Sequence, residues 1–181
     1  MIYVDMDGVL ANLHDTMTLR MFNKQMREID EMQTKQLSSL FNDKHQFLNY
    51  FPEGAEQLFR QLPPFPFNKQ LIETITNFER EYCILSRPSS LDLDGTKRAK
   101  IEWVNQHLSF CPPKEIILVH DKTANGRAHP SNILIDDFDP FLERWREKNG
   151  IAIKYVAREF TSPNQVTEYI ERKLANILTL I

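Results

Sequence analysis

What the chain has little of narrows the field before any motif is read. It has only two cysteines, Cys83 and Cys111, in or beside apolar runs, so buried thiols are expected and not a disulfide scaffold. No apolar run approaches the ~20 residues needed to span a bilayer, and the acidic residues at positions 5 and 7 fall where the apolar core of a secretory leader would lie. A cytoplasmic protein with no membrane partner is therefore expected. Neither sign of charge dominates: 22 Lys and Arg face 25 Asp and Glu, a net charge of −3. A broad polyanion-binding surface needs many unbalanced cations, so polynucleotide binding is not expected. The five histidines are scattered without metal-ligand spacing, which argues against zinc. Repeats and low-complexity tracts are absent.

What is present fits one domain with a small insertion. The 181 residues are 41% hydrophobic and 26% charged, ordinary for a globular chain able to bury its own core. Five apolar, β-favouring runs alternate with helical periodicity: Ile2 to Val4, Tyr82 to Leu85, Glu115 to Val119, Asn132 to Ile135 and Ile151 to Val156. Continuous apolar strands separated by helices indicate a parallel sheet of α/β type. Helices are expected from Asn68, acting as a cap, to about Glu79 with Leu71, Ile75 and Phe78 buried. Others follow from Asp94 through Ile101, Val104 and Leu108, from Pro140 to Asn149-Gly150, and from Ser162-Pro163 through Val166, Ile170, Leu174 and Ile177.

The alternation lapses between residues 12 and about 66, where no strand is evident. Apolar residues at helical spacing predict one long amphipathic helix from about residue 13 to 33, and a short one from Glu53 to Leu62 ends at Pro63-Pro64-Phe65-Pro66. This stretch is rich in aromatics (Phe41, Phe47, Tyr50 and Phe51), of which one or two are candidates for stacking on a ligand base.

Chemistry concentrates where strands end. Ile2-Tyr3-Val4 runs into Asp5-Met6-Asp7-Gly8, and Asn132-Ile133-Leu134-Ile135 runs into Asp136-Asp137. Side chains two apart on an extended chain share a side, so Asp5 and Asp7 point together, and Gly8 permits a tight turn or a close approach. One Asp after a strand is explained by turn capping. Two strands that each end in an acidic pair call for a hard divalent cation, Mg²⁺, held by carboxylates and a substrate phosphate. Ser86 and Arg87 end the second strand, and His120-Asp121-Lys122 ends the third, ahead of a polar turn over residues 124–131. Lys97, Arg98 and Lys100 occupy the first turns of a helix, where the helix dipole disfavours cations; a nearby anion and a solvated face are both open readings.

In this order, Asp5-Met6-Asp7-Gly8-Val9, Ile84-Leu85-Ser86-Arg87, Lys122 and Asp136-Asp137 resemble the four motifs of the haloacid dehalogenase (HAD) superfamily. Spacing and flanking residues resemble more narrowly the 5'(3')-deoxyribonucleotidases over nearly the whole chain. The resemblance implies a Rossmann-like three-layer parallel sheet, with a core of residues 1–12 and 67–181 and a helical cap over 13–66. It implies a phosphomonoester hydrolase in which Asp5 is the nucleophile and Asp7 the general acid and base. Mg²⁺ would be held by Asp5, the backbone carbonyl of Asp7, and Asp136 or Asp137. Ser86, Arg87 and Lys122 would bind phosphate, with Lys100, three residues before Trp103, as a second lysine of the site. The implied partner is a small phosphorylated substrate, a deoxyribonucleoside monophosphate, and a homodimer is compatible with it. Nucleic-acid 3' ends, small sugar phosphates and a non-catalytic phospho-ligand module are the competing readings. Asn12 stands where relatives often carry Asp.

Overall fold

A computed structural model describes residues 1–78 and 81–178. Five strands, β1 (Ile2–Val4), β2 (Tyr82–Ser86), β3 (Glu115–Leu118), β4 (Ile133–Asp136) and β5 (Ile151–Lys154), form one sheet of order β3-β2-β1-β4-β5, parallel throughout. The chain starts at the centre of this sheet. β1 pairs on both sides, with Val4 in register with Ile84 and with Ile135. The acidic ends of β1 and β4 are therefore neighbours at the carboxyl edge, where open α/β sheets bind ligands.

Alternation along the strands gives the sheet two apolar faces. Ile2, Val4, Ile84, Ile133, Ile135 and Ile153 meet helices α5 (Asn68–Phe78), α6 (Leu93–His107) and α8 (Pro163–Leu178) in the main core. Tyr3, Leu85 and Leu134 face α7 (Asp139–Glu147) through Leu142 and Trp145. Helices thus cover both faces, giving the expected α/β Rossmann-like architecture. β3 lies at an edge, and its Glu115 is exposed accordingly. Cys83 is buried, Cys111 is half-buried, and both thiols are free.

Between β1 and α5 lie α1 (Leu13–Phe22), α2 (Glu31–Ser39), α3 (Lys44–Tyr50) and α4 (Gly54–Arg60), with no strand among the described residues. The single helix expected over 13–33 is two helices. Asn23 adopts left-handed geometry (φ 55°) and its N–H closes on Leu19 O, which ends α1. Asn tolerates this conformation where most residues do not. Asp30 then caps α2 reciprocally with Gln33.

Smaller corrections have similarly local causes. Asn68 does not cap α5; it is buried and its Nδ2 donates to Leu10 O at 2.6 Å. Phe78 and Ile101, expected on buried helix faces, are 38% and 41% exposed. Glu79, the expected end of α5, lies outside the described residues. Helix α6 starts at Leu93, one residue early, because Asp92 accepts from Gly95 N.

The chain leaves and re-enters the sheet domain side by side. Ala11 and Pro64 form an antiparallel bridge, Asn12 N donates to Pro63 O and Phe65 N to Leu10 O, each at 2.9 Å. Helix α4 then lies along α6, where Arg60 pairs with Glu102, Arg98 with Glu56, and Trp103 Nε1 donates to Leu62 O at 2.7 Å.

Candidate active site

Beyond Val4 the backbone of Asp5 is still held by β4, with Asp5 N donating to Ile135 O at 2.9 Å. The next residues fold into a tight loop in which Leu10 and Ala11 both donate to Met6 O at 2.8 Å. Gly8 makes this possible twice over. Its φ is +82°, and a Cβ there would lie 2.2 Å from Asp137 Oδ2. The loop after β1 thus closes directly on the acid that follows β4.

Asp5, Asp136 and Asp137 each present an oxygen such that the three lie within 4.8 Å of one another. Lys122 is 2% exposed and bridges two of them, its Nζ 2.6 Å from Asp136 Oδ2 and 2.8 Å from Asp5 Oδ1. The contact to Asp5 Oδ1 is an ion pair. Asp136 Oδ1 accepts from Phe138 N at 2.9 Å. The second lysine lies opposite. Lys100, fully buried on α6, donates to Asp7 Oδ2 and, at 2.9 Å, to Ser86 Oγ.

Both ammonium groups also rest on rings. Lys100 Nζ is 4.8 Å from the centroid of Phe59, and Lys122 Nζ is 4.6 Å from that of Phe141. Each lysine is therefore fixed between a carboxylate and an aromatic face, a favourable desolvated setting for a cation.

The electrostatics are those of a site short of positive charge. Burial, then the charges of Asp5 and Asp136, push the Asp137 carboxyl up to about 8. Burial and Asp5 push Asp136 up to about 6, with Lys122 opposing. Burial also raises Asp7, again against the pull of Lys100. Burial works against the ammonium of Lys122, but Asp5 and Asp136 outweigh it and hold the group above the usual lysine range. Burial holds His14 below the usual histidine range. Asp5, Asp7, Asp136 and Asp137 crowd around Lys100 and Lys122. The convergent donors of Asp5, Asp136 and Asp137 are all oxygen, and a bound cation would relieve the repulsion of Asp5 against Asp136 and Asp137. The residues fit a hard divalent ion.

Asp5, Asp7, Lys122 and Asp137 form the floor of a cavity of about 340 Å³. Leu13, His14, Phe59, Pro88 and Phe141 line it further, while Ser38, Phe41, Asn42, Arg87, Ser90 and Phe138 also line it. Of the residues expected at the site, Asp5, Asp7, Arg87, Lys122 and Asp137 line it, whereas Ser86, Lys100 and Asp136 lie behind, bonded to one another or to Asp7 and Lys122. Arg87 is exposed, unlike the buried Ser86 beside it. The cations of α6 divide: Lys100 serves the floor, whereas Arg98 pairs with Glu56 on the surface at 2.9 Å. Of the aromatics in the inserted stretch, Phe47 and Phe51 are buried and stacked on each other at 4.9 Å. Tyr50 is half-buried against the core, and Phe41 alone of the four lines the cavity.

Sequence reasoning missed His14, Asn42, Phe138 and Phe141. His14 Nδ1 lies 3.9 Å from Asp137 Oδ2 and has no hydrogen-bond partner. Its position two residues past the loop carried a signal, since α1 begins at Leu13 directly over the floor. Phe138 follows the second acidic pair as directly as Gly8 follows the first, and Phe141 comes three residues later.

The fold has counterparts elsewhere. No curated protein shows a significant match to the chain. Among solved structures, the L-2-haloacid dehalogenase of Xanthobacter autotrophicus superposes with a TM-score of 0.52 at 13% identity, covering 84% of this chain and 76% of that one. A hydrolase of Streptococcus pneumoniae TIGR4 also superposes with a TM-score of 0.52, at 14% identity over 94% of this chain and 97% of the other. At such identities these likenesses establish the fold, which is that of the HAD hydrolases. The sequence profile of the 5' nucleotidase, deoxy (pyrimidine), cytosolic type C proteins matches residues 1–174. The chain belongs to that family, and it is a phosphatase of the 5'-nucleotidase kind.

Proposed function

We propose that the protein is a Mg²⁺-dependent phosphatase of deoxyribonucleoside monophosphates, working through an aspartyl-phosphate. The observation that carries this reading is the convergence of Asp5, Asp136 and Asp137 within 4.8 Å beside Lys122, at the foot of a cavity that also carries aromatic rings. An anionic head fits the floor, and a planar apolar tail fits the cavity above it. Phe41, Phe59, Phe138 and Phe141 offer rings to a base, while Ser38, Asn42 and Ser90 can meet polar groups of a nucleoside.

Phosphate monoesters hydrolyse so slowly that accelerations approach ~10²¹, so several effects must converge. Asp5 is the nucleophile. Its carboxylate attacks phosphorus, the bond to the leaving oxygen breaks, and the phosphoryl group is held on Asp5 until water displaces it. Lys122 keeps Asp5 oriented through its ion pair with Oδ1. Asp7 gives its proton to the leaving oxygen and then takes one from the attacking water, and its raised proton affinity suits the first task. Lys100 and Ser86, joined at 2.9 Å, bind phosphoryl oxygens as a preformed pair. Arg87 adds charge near the cavity entrance. Asp5, Asp136, Asp137 and the Asp7 carbonyl would hold the magnesium ion, which would supply positive charge to offset that of the phosphoryl group.

Residues 13–66 act as a cap over a core of 1–12 and 67–181, joined through the paired segments at Ala11 and Pro64. Such a cap excludes water and selects the leaving group. The family description, with its deoxy and pyrimidine terms and its cytosolic type, favours a pyrimidine deoxynucleotide and a cytoplasmic setting. Among the described residues no helix is long and apolar enough to cross a membrane. A cavity of about 340 Å³ suits a mononucleotide better than a polymer.

The test is phosphate release from deoxy- and ribonucleoside monophosphates, 5' and 3', alongside deoxyribose 5-phosphate, each with Mg²⁺ and with EDTA. Hydrolysis of deoxynucleotides that EDTA abolishes is expected. Turnover restricted to the sugar phosphate, or undiminished by EDTA, would refute the reading.

A further inference from the structure

Phe138 is 53% exposed, one of the few large apolar side chains of the protein that face solvent, and it lines the cavity. Scattered exposed apolar residues are ordinary. Position sets this one apart. It follows Asp136-Asp137 directly, and its N–H donates to Asp136 Oδ1 at 2.9 Å, so its backbone is fixed to the floor. Its ring meets Phe141 edge-on at 5.3 Å. Phe141 has a separate task, since Lys122 Nζ lies 4.6 Å from its centroid. Phe141 supports the lysine, and Phe138, buttressed by Phe141, keeps more than half its surface open.

The inserted stretch contributes a half-buried aromatic to the cavity. Phe41 lies in the short 3₁₀ turn Leu40–Asn42, backed by Phe47 at 5.9 Å. Its carbonyl accepts from Ser90 Oγ, which ties this turn to the loop after β2. One cavity thus carries an aromatic ring from each part of the fold, both near the floor that holds the reacting phosphate.

We infer that Phe138 is a specificity-determining residue, the core-side aromatic wall against which the base of the leaving nucleoside stacks, with Phe41 contributed from the insertion. The inference rests on the nucleotide reading above. A ring fixed to the segment that carries Asp136 and Asp137 positions the base relative to the scissile bond without depending on how the inserted helices sit. Stacking is tolerant of base identity because every base presents a π face, so Phe138 selects for a base over none, more than one base over another.

The experiment compares kcat/KM for a deoxyribonucleoside 5'-monophosphate with kcat/KM for deoxyribose 5-phosphate, in wild type, Phe138→Ala, Phe138→Leu and Phe138→Trp. In Phe138→Ala the ratio of the two should fall about tenfold, most of it in KM for the nucleotide. Phe138→Leu keeps apolar bulk without a π face and should recover only part of the ratio. Phe138→Trp should restore it. An unchanged ratio, with nucleotide turnover intact in wild type, overturns the inference alone. Equal losses on both substrates in Phe138→Ala and Phe138→Leu also overturn it, since they would mean that Phe138 acts only through Asp136. Failure of the wild-type protein to hydrolyse any nucleotide overturns the nucleotide reading together with the inference.

Discussion

The floor of the cavity and its mouth are built on opposite principles. The floor is buried, crowded with like charge, and rigidly partnered: Lys122 and Lys100 each bridge two polar groups and lie against a ring. At the mouth Phe138, Asn42, Arg87 and Ser90 are exposed. Buried charge is tolerated only with fixed partners, so the floor cannot adjust to different ligands. Exposed rings and short polar side chains can. On the proposed reading chemistry belongs to the rigid half and choice of substrate to the adaptable half, so changes in the two should affect different kinetic constants.

The largest expected effect is at the floor. Asp5→Asn keeps the shape and removes the nucleophile, so kcat should fall by roughly 10³-fold or more. Near-normal turnover in a steady-state assay would remove the basis of the contrast. Lys122→Met should come next. It leaves Asp5 and Asp136 buried without their cation, so it should both slow turnover and destabilise the fold by about 3–5 kcal/mol, measurable by chemical denaturation.

The crowded floor also predicts how stability depends on pH without metal. Folded Asp136 and Asp137 bind protons near pH 6 and 8, against 3.8 for an ordinary Asp. Between those values the folded state holds more protons than the unfolded one, so stability falls as pH rises from about 4 to about 8. In EDTA the Tm should drop by several degrees between pH 5.5 and 8. Mg²⁺ should flatten that slope, because an ion favours the ionised carboxylates; the same slope with and without the ion would argue against a metal on the triad. The smallest effect belongs to the mouth: Phe41→Ala should raise KM for a nucleotide about tenfold, with kcat less affected. A loss confined to kcat would mean that the mouth takes part in the chemistry.

The two regions were also unequally legible. The floor could be read because β1 and β4 are apolar runs that stop in acid, and parallel pairing puts their ends together whatever else the chain does. Ser86 and Lys122 follow from the same rule. Lys100 could not be derived from its strand position, since it comes from the middle of a helix and its burial depends on how α6 meets the sheet. The mouth depends on contacts far apart in sequence. Phe41, Phe47 and Phe51 look alike in the chain; two of them stack in the core and one turns outward. The break at Asn23 was visible in principle, because Asn23 and the Asp30–Gln33 pair are stop and start signals. A run of apolar residues at intervals of four outweighed them.

The paired segments at Ala11 and Pro64 give this division an evolutionary side. Because the chain departs from the sheet domain and returns to it at adjacent positions, an exchange of what lies between them need not move the end of β1. Helix α4 is clasped to α6 by Arg60–Glu102, Arg98–Glu56 and the Trp103–Leu62 hydrogen bond, so the span most open to exchange is shorter, from α1 to α3. That span is a cassette: lineages can trade it for one of another length or composition, and acquire a new substrate while inheriting an unaltered catalyst.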